Sequence, residues 1–221
     1  MGTGIDDFWP LVRFEEKDRE RLAICLHRLL PHLRAGEYAL TGGVAIEAHC
    51  AIHGLPTSRN TLADLDFIAA SMDTVRPTIA DEFLIIHFHR PQPDYPKFLV
   101  QVVDPISRIR IDIFPDRFGS MQNGICFNEF RLIRADDLLD HKLDVLSSAS
   151  TQNQVDRKHY LDAVVLADIC GRARPTINDS CLGRDEYSLD PDSGCWKCEA
   201  SIDQRFPLAS KLEILEILGY V

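Results

Sequence analysis

The sequence predicts an α/β fold in which a small mixed or antiparallel sheet is flanked by helices and followed by a helical C-terminal part. Three observations predict it. Apolar runs with a period of two, typical of strands, recur between residues 38 and 130. An amphipathic stripe precedes them in residues 14–34, and helical apolar spacing takes over from residue 134. We therefore place a boundary between a sheet-containing domain, residues 1–132, and a helical region with a cysteine-containing loop, residues 133–221.

The composition indicates a folded chain that does not span a membrane. The 221 residues are 45% hydrophobic, enough to bury a substantial core. No apolar run approaches the roughly 18 residues that a membrane span needs, and the N-terminus lacks the basic and apolar regions of a signal peptide. Seven cysteines, an odd number, fit reduced thiols better than a disulfide framework. We expect a cytoplasmic protein without a membrane partner.

The formal net charge of -10 argues against a protein whose whole surface binds nucleic acid. A local contact is not excluded, because arginines crowd one part of the sequence. They are Arg108, Arg110, Arg117, Arg131 and Arg134. Acidic residues crowd residues 185–199 instead, so the acidity is partly a property of the tail.

A strand, a glycine turn and a helix follow one another from residue 38. Residues 38–41 form a short apolar run that ends in Gly42 and Gly43, and helical spacing begins at Val44. Glycine has no Cβ and tolerates positive φ, so backbone amides in such a turn can approach a phosphate closely. The helix N-terminus adds a positive dipole end. A tight connection without a ligand is the simpler alternative.

The next predicted strand begins with two acids. A period of two puts Asp64 and Asp66 on one face and Leu65 and Phe67 on the other. Carboxylates roughly 6 to 7 Å apart along a strand can share two divalent cations held about 3.5 to 4 Å from each other. Because such acid pairs also occur on solvated strands, the order of the glycine turn and the acid pair carries more weight than either part.

Together, the glycine turn and the acid pair resemble the nucleotidyltransferase superfamily typified by DNA polymerase beta, in which a third acid follows on a neighbouring strand. Within that superfamily, the chain looks like the bacterial AbiEii-type nucleotidyltransferase toxins. The matching motifs are Thr41-Gly42-Gly43, Arg59-x-Thr61 and Asp64-Leu65-Asp66-Phe67. The chain departs from the usual pattern by one extra residue, because both Leu62 and Ala63 lie between Thr61 and Asp64.

The resemblance implies a nucleotidyltransferase catalytic domain in residues 1–132, with a nucleoside triphosphate as substrate and two magnesium ions as cofactors. Asp64 and Asp66 would hold the ions. The residues implied for contact with nucleotide or substrate are Thr41, Gly42, Gly43, Arg59 and Thr61. The acceptor would be the 3′ end of a transfer RNA, and an antitoxin protein would be a partner.

Three further elements lie between the acid pair and the next candidate site residue. Residues 73–83 predict a short helix, and residues 84–89 and 97–103 predict strands. His87 and His89 share one face of the first of these strands. Without a third ligand nearby, we interpret them as structural rather than metal-binding.

The strand predicted at residues 108–114 carries the candidate third acid. A period of two places Arg110, Asp112 and Phe114 on one face and isoleucines on the other. A buried acid without a partner is costly, so Asp112 should have a metal, a cation or water beside it. The resemblance supplies the metal and makes Asp112 the third catalytic carboxylate. Pairing with Arg110 or plain solvation is the alternative, and Asp116, beyond the strand, is a rival for the same role.

One more strand and three helices complete the predicted elements. Residues 125–130 predict a short last strand. One helix begins at residue 134, a second at residue 156, and a third covers residues 210–218. Residues 171–194, rich in Gly, Pro, Asn, Asp and Ser, predict a long loop.

The first two of these helices carry further residues that match the AbiEii-type pattern. Lys142 would contact the nucleotide phosphates, although a lysine on an exposed helix face is commonplace. Lys158 and Asp162 resemble a K-D-x-x-D signature in which His159 replaces the first acid, so only Asp162 carries over as a substrate contact. The alternative for these two is a simple ion pair on one helix face.

The cysteines of the C-terminal region leave several interpretations open. The candidate zinc ligands are Cys170, Cys181, Cys195 and Cys198. Four thiolates can close a structural zinc site, but the spacing matches no zinc ribbon or finger. Free or packed thiols are the favoured interpretation, zinc comes second and a disulfide third.

The sequence thus predicts a magnesium-dependent enzyme that moves a nucleoside monophosphate from a nucleoside triphosphate to an acceptor hydroxyl. One alternative keeps this chemistry and replaces transfer RNA by a small cationic acceptor of the aminoglycoside or lincosamide type, which the overall acidity would suit. The other alternative is a nucleotide-binding module without turnover. The presence of all three acids tells against it.

Overall fold

A seven-stranded mixed sheet forms the centre of the computed structural model, which describes residues 8, 12–56, 64–91, 97–127, 130–150, 155–177 and 182–183. The strands are β1 (Tyr38–Thr41), β2 (Asp64–Ala69), β3 (Leu84–His89), β4 (Leu99–Asp104), β5 (Ile109–Pro115), β6 (Ile125–Phe127) and β7 (Phe130–Leu132). Their order across the sheet is β3-β4-β5-β2-β1-β7-β6. A separate parallel pair consists of β8 (Val155–Asp156) and β9 (Leu182–Gly183).

The strand pairings place the acid-bearing strands side by side. β2 runs antiparallel to β1 and parallel to β5. β3, β4 and β5 form an antiparallel meander, and β7 runs parallel to β1 on the other side of the sheet. The predicted α/β class with a mixed sheet is confirmed, and β2 and β5 are neighbours near the middle of that sheet.

Four α-helices flank the sheet in the described part of the chain. They are α1 (Glu16–Leu29), α2 (Gly42–Ile52), α3 (Ala135–Ser150) and α4 (Arg157–Cys170). α2 contacts β1 and β2, while α3 and α4 pack against each other and against α2. Among the described residues, no helix combines the length and the apolar character that crossing a membrane requires.

The two faces of the central strands differ in burial, as their period of two predicts. Solvent does not reach the residues of one face, Leu65, Phe67, Ile109, Ile111 and Ile113. α1 contacts β5, and its residues Leu22, Leu26 and Leu29 are completely buried. Burying such a side chain contributes about 1.5–3 kcal/mol relative to leaving it exposed, so this face anchors the fold. The opposite face leaves Asp64, Asp66 and Asp112 partly accessible.

A tight turn joins β4 to β5 and is organised by the buried Asp104. Its Oδ1 accepts a hydrogen bond from Ile106 N at 3.1 Å. Its Oδ2 accepts two from Ser107, from N at 3.2 Å and from Oγ at 2.7 Å. Arg28 of α1 adds a charged partner, with Nε 3.1 Å from Oδ1. This carboxylate is therefore neutralised and held by groups that belong to the turn and to the helix packed on it.

The short helix predicted at residues 73–83 is replaced by two 3₁₀ helices, Met72–Thr74 and Pro77–Asp81. The interruption lies just before Pro77. Proline lacks an amide hydrogen and disfavours helical backbone in the preceding residue, and Arg76 is accordingly extended, with φ −76° and ψ 142°. Helical backbone resumes at Pro77, the first residue of the second 3₁₀ helix.

A hairpin of β6 and β7 replaces the single strand predicted at residues 125–130. The two strands pair antiparallel, and β7 continues to Leu132 to pair with β1. The short apolar run could not show this, because pairing with β1 is set by the tertiary fold. The division of the chain at residue 132 stays a prediction, although β7 ends there and α3 begins at Ala135.

Candidate active site

The register between β2 and β5 brings the three predicted acids together. Asp66 lies directly opposite Asp112, and Asp64 lies opposite Arg110. Directly opposite residues project from the same face of a sheet, as do alternate residues along one strand. Asp64, Asp66 and Asp112 therefore occupy adjacent positions on one face. On the far side of β5, Gln101 of β4 lies opposite Asp112.

Gly42 is the point at which the glycine turn meets this group of acids. Its φ is +66°, in the region that favours glycine, and α2 begins there. A Cβ on Gly42 would lie 2.5 Å from Asp66 Cγ and 2.6 Å from Asp66 Cβ, closer than non-bonded carbons approach. The Asp66 side chain thus fills the space that any other residue at position 42 would need. The preceding Thr41 is buried and lies opposite Asp66 in the β1–β2 register.

Arg110 forms a cationic bridge between two of the three carboxylates. One of its terminal nitrogens, Nη2, lies 2.9 Å from Asp64 Oδ2 and 3.2 Å from Asp112 Oδ2. Gln101 Nε2 donates a hydrogen bond to Asp112 Oδ1 at 3.0 Å. The ion pair between Asp112 and Arg110, considered above as the alternative to a catalytic role, is present. Because Asp112 also lies next to Asp66, the two interpretations are compatible.

Burial and mutual repulsion perturb the protonation of these acids. Burial, followed by the charges of Asp64 and Asp112, raises the pKa of Asp66 to about 7, against the opposing effect of Lys142 and Arg110. Burial also raises the pKa of Asp112, although Arg110 counteracts it. Because burial and like charge disfavour the ionised acids, an added cation would stabilise their ionised form.

Lys142 of α3 lies near enough to Asp66 for its charge to lower the pKa of that acid, and residues of α4 hold it. Its Nζ lies 2.7 Å from Asp162 Oδ2 and 3.2 Å from His159 Nδ1. The side chains of Lys142 and Asp162 are only 12% and 4% exposed, so Lys142 is not the exposed surface lysine of the simpler interpretation. Its predicted contact with nucleotide phosphates, and the predicted substrate contact of Asp162, stay predictions.

Comparison with known proteins adds two distant structural similarities. One is to JHP933 from Helicobacter pylori, with 13% identity and a TM-score of 0.42, covering 70% of this chain and 68% of that one. The other is to a "putative nucleotidyltransferase" from H. pylori, with 10% identity and a TM-score of 0.35, covering 70% of this chain and 78% of that one. No protein-family model and no curated protein matches the sequence. With TM-scores below 0.5, neither similarity assigns an activity, which has to be inferred from the site itself.

The oxygen donors of this face fit a hard divalent cation such as magnesium. In the part of the chain that the structure describes, no three His, Cys, Asp or Glu side chains are arranged as ligands of one ion. At the carboxylates, the guanidinium of Arg110 takes the position between Asp64 and Asp112. With Arg110 displaced from this position, Asp64, Asp66 and Asp112 would offer the charge and the atom type that magnesium prefers.

Asp116, the rival third acid, has a different role. Its Oδ1 and Oδ2 accept hydrogen bonds from Ser120 N and Met121 N, each at 2.9 Å. It follows β5 rather than lying in the register that joins Asp66 to Asp112. Asp116 therefore shapes the loop after the strand, and Asp112 is the acid that adjoins the predicted pair.

Several predicted site residues lie outside the described residues. They are Arg59, Thr61, Cys181, Cys195 and Cys198, and the predicted helix at residues 210–218 falls there too. The fourth candidate zinc ligand, Cys170, has a free thiol at the end of α4. Burial, together with its hydrogen bond to Asp136, raises the pKa of Cys170 to about 11. The zinc site stays a prediction.

Besides the Arg110 bridge to Asp64, two contacts of the site were not predicted from the sequence. Gln101 was not singled out at all, and Lys142 was not connected with Asp162. The alternation of β4 puts Gln101 on a definite face, but only the β4–β5 register brings it to Asp112. The pair on α3 and α4 depends on how those helices pack, for which the sequence carries no local signal.

Proposed function

We propose that the protein is a magnesium-dependent nucleotidyltransferase that moves a nucleoside monophosphate from a nucleoside triphosphate to an acceptor hydroxyl. The observation that carries the proposal is the β2–β5 register, which sets Asp66 against Asp112 with Asp64 on the same face. The start of α2 at Gly42 adjoins the same carboxylates. Three acids beside a helix N-terminus would combine a site for divalent cations with a site for phosphate.

Asp64, Asp66 and Asp112 would hold two magnesium ions. Bound magnesium would supply charge neutralisation at the triphosphate and a lowered pKa for the attacking hydroxyl. The acceptor oxygen forms a bond to the α-phosphorus as the bond from that phosphorus to the bridging oxygen breaks, and pyrophosphate leaves with the electron pair. Asp112 would take the hydroxyl proton. Ionisation of Asp66, whose pKa is about 7, favours activity at slightly alkaline pH.

The remaining residues would bind the triphosphate. The backbone amides of the turn at Thr41, Gly42 and Gly43 would seat its phosphates, and Lys142 would balance charge as pyrophosphate departs. Asp162, which contacts Lys142 Nζ at 2.7 Å, would position that lysine. Holding these groups in place before the reaction is how an electrostatic site lowers a barrier.

The proposal extends to the acceptor that receives the nucleotide and to the biological role of the transfer. Resemblance to AbiEii-type toxins favours the 3′ end of a transfer RNA as acceptor and an antitoxin protein as partner. A small cationic acceptor of the aminoglycoside or lincosamide type is the second candidate, favoured by the net charge of -10. A binding module without turnover is not favoured, because all three carboxylates are present and adjacent.

Transfer of label tests the proposal. The purified chain is incubated with magnesium, each α-labelled nucleoside triphosphate in turn, and either total transfer RNA or a panel of aminoglycosides and lincosamides. We expect one acceptor to gain label, and Asp66→Asn to lower that rate by about 100-fold or more. The matched control is Asp81→Asn, which removes the charge of an exposed aspartate at the end of a 3₁₀ helix. Equal transfer by Asp66→Asn and wild type would contradict the proposal, as would absence of transfer combined with unchanged nucleotide binding by Asp64→Ala.

A further inference from the structure

A cavity of about 350 Å³ lies on the same face of the sheet as the carboxylates. Its described lining residues are His87, Lys97, Phe98, Leu99, Phe114, Pro115 and Arg117. Phe114 is two residues beyond Asp112 on β5, so the two share a face at a separation of about 7 Å. The cavity therefore begins two residues along β5 from Asp112, next to the proposed transfer site.

The strand register connects the cavity to the acids across the sheet. Asp112 lies opposite Gln101 of β4, and Gln101 lies opposite His87 of β3. These three residues, with Asp66 on the other side of Asp112, form one row across four strands. His87 is buried at the end of that row. A ligand in the cavity would thus lie on the sheet surface that leads directly to Asp112.

The lining of the cavity combines apolar surface with positive charge. Phe98, Leu99, Phe114 and Pro115 provide the apolar part. Phe114 is partly exposed, and its side chain lines the cavity. Lys97 and Arg117 provide the charge, and the described lining residues include no carboxylate. The cavity is thus positively charged, although the chain as a whole has a net charge of -10. Positive charge beside an aromatic ring favours an anionic ligand with a flat ring.

The volume sets the size of that ligand. A cavity of about 350 Å³ is at the lower end of the range for small-molecule sites, about 300–1,000 Å³. Single-stranded nucleic acid is commonly bound by stacking a base on an aromatic ring while lysine or arginine contacts the phosphate. One nucleotide unit meets both requirements, whereas a polycationic aminoglycoside would meet like charge at Lys97 and Arg117.

We propose that this cavity is the acceptor subsite and that it binds the terminal nucleotide of a single-stranded nucleic acid. The base stacks on Phe114, and the phosphate is contacted by Lys97 and Arg117. The terminal hydroxyl then points along the sheet towards Asp112, where its oxygen bonds to the α-phosphorus, its proton passes to the carboxylate and pyrophosphate leaves. This inference rests on the proposed function, since proximity to Asp112 matters only if that residue belongs to the transfer site.

Binding without turnover tests the subsite separately from the reaction. Fluorescence anisotropy with short labelled RNA and DNA single strands, in EDTA, gives the Kd for the wild type and for three variants. We expect Phe114→Ala to weaken binding about 5- to 100-fold, the effect of losing one stacked base. Arg117→Ala should weaken binding several-fold. It should also reduce the slope of log Kd against log salt by the amount that one phosphate contact contributes, about 0.7 to 0.9. Arg19→Ala removes an exposed arginine of α1 and should leave the Kd unchanged.

A second substitution at Phe114 guards against misfolding. Phe114→Trp keeps an aromatic face and should retain binding within about 3-fold, because stacking tolerates any aromatic ring. Thermal melts followed by circular dichroism show whether each variant is folded. Equal Kd values for wild type, Phe114→Ala and Arg117→Ala would overturn the proposal, as would loss of binding in Phe114→Trp with a wild-type melt.

Transfer assays separate failure of the subsite from failure of the proposed function. Magnesium-dependent labelling of an aminoglycoside that Phe114→Ala leaves unaffected would overturn the nucleic-acid subsite while nucleotidyl transfer stands. Oligomer binding that depends on Phe114 and Arg117, in a chain that transfers no label to any oligomer, would support the binding site and contradict the transfer reaction. RNA and DNA strands in parallel show which sugar the subsite accepts.

Discussion

Two regions on neighbouring strands hold buried or partly buried carboxylates in opposite ways. At the β4–β5 turn, Asp104 receives hydrogen bonds from Ile106 and Ser107 and a charged contact from Arg28. Farther along β5, Asp112 lies beside Asp66. Burial and the charges of Asp64 and Asp112 raise the pKa of Asp66 to about 7. The first carboxylate is surrounded by donors, whereas the second group is crowded with like charge.

The difference is the one we expect if Asp104 stabilises the fold and the crowded acids form the proposed site. A buried acid that serves the fold is matched by nearby donors, because an unmatched one costs several kcal/mol. Acids that repel one another are kept at a cost to stability, and such perturbed groups cluster at functional sites. Removing the charge of an acid should therefore lower stability at Asp104 and raise it at Asp66.

The largest expected effect on stability is at the Asp104 turn. Asp104→Ala removes the acceptor for Ile106 and Ser107 and leaves Arg28 without this partner. Breaking a buried pair by removing one partner costs about 3–5 kcal/mol, so the free energy of unfolding measured in urea should fall by about that much. Asp104→Asn, which keeps one oxygen acceptor, should lose less. A loss below about 1 kcal/mol for Asp104→Ala would remove the contrast between the regions.

The contact between Gly42 and Asp66 should give the next largest effect. Gly42→Ala places a Cβ against the Asp66 side chain at a positive φ, and we expect a loss of about 2–4 kcal/mol in urea unfolding. In an Asp66→Gly background only the backbone strain remains, so the same substitution should cost about 1–2 kcal/mol. The double-mutant cycle measures the difference. Equal costs in both backgrounds would show that the two residues do not touch.

Substitution of Asp66 itself should stabilise the chain, unlike substitution of Asp104. Between roughly pH 4 and pH 7, Asp66 keeps its proton in the folded state but loses it in the unfolded state. The folded state then binds more protons, so stability falls as pH rises through that window. Asp66→Asn removes the penalty and should raise the free energy of unfolding by about 1–3 kcal/mol at pH 8 in EDTA, with little change at pH 4. A destabilised variant at pH 8 would mean that Asp66 is satisfied, as Asp104 is.

The smallest effect concerns the cation that faces the crowded acids. Asp162→Asn weakens the hold on Lys142 Nζ, and we expect the KM for the nucleoside triphosphate to rise about 5- to 10-fold with a smaller change in kcat. Asp168→Asn, on the same helix and paired with the exposed Arg174, is the matched control. Equal kinetics for the two variants would show that Asp162 serves the fold alone.

Much of the fold and part of the site could be predicted from the sequence. The period of two was sufficient to place Asp64 and Asp66 on one face of β2 and Asp112 on the face of β5 opposite its isoleucines, because strand alternation is a local property. The Arg110 bridge to Asp64 was not predicted, since it depends on the β2–β5 register. The pair of Lys142 with Asp162 was not predicted either, because it depends on how α3 and α4 pack. The cavity beside Phe114 was also not predicted, because segments distant in the sequence form it.

Direct binding of manganese, followed by its electron paramagnetic resonance signal, tests the central claim that the crowded carboxylates form a divalent-cation site. We predict that the wild-type chain binds up to two manganese ions at pH 8 and binds them more weakly at pH 6, where Asp66 is largely protonated. Asp66→Asn should abolish at least one site, while Asp81→Asn should retain both. Equal manganese affinity in wild type and Asp66→Asn at pH 8 would contradict the account.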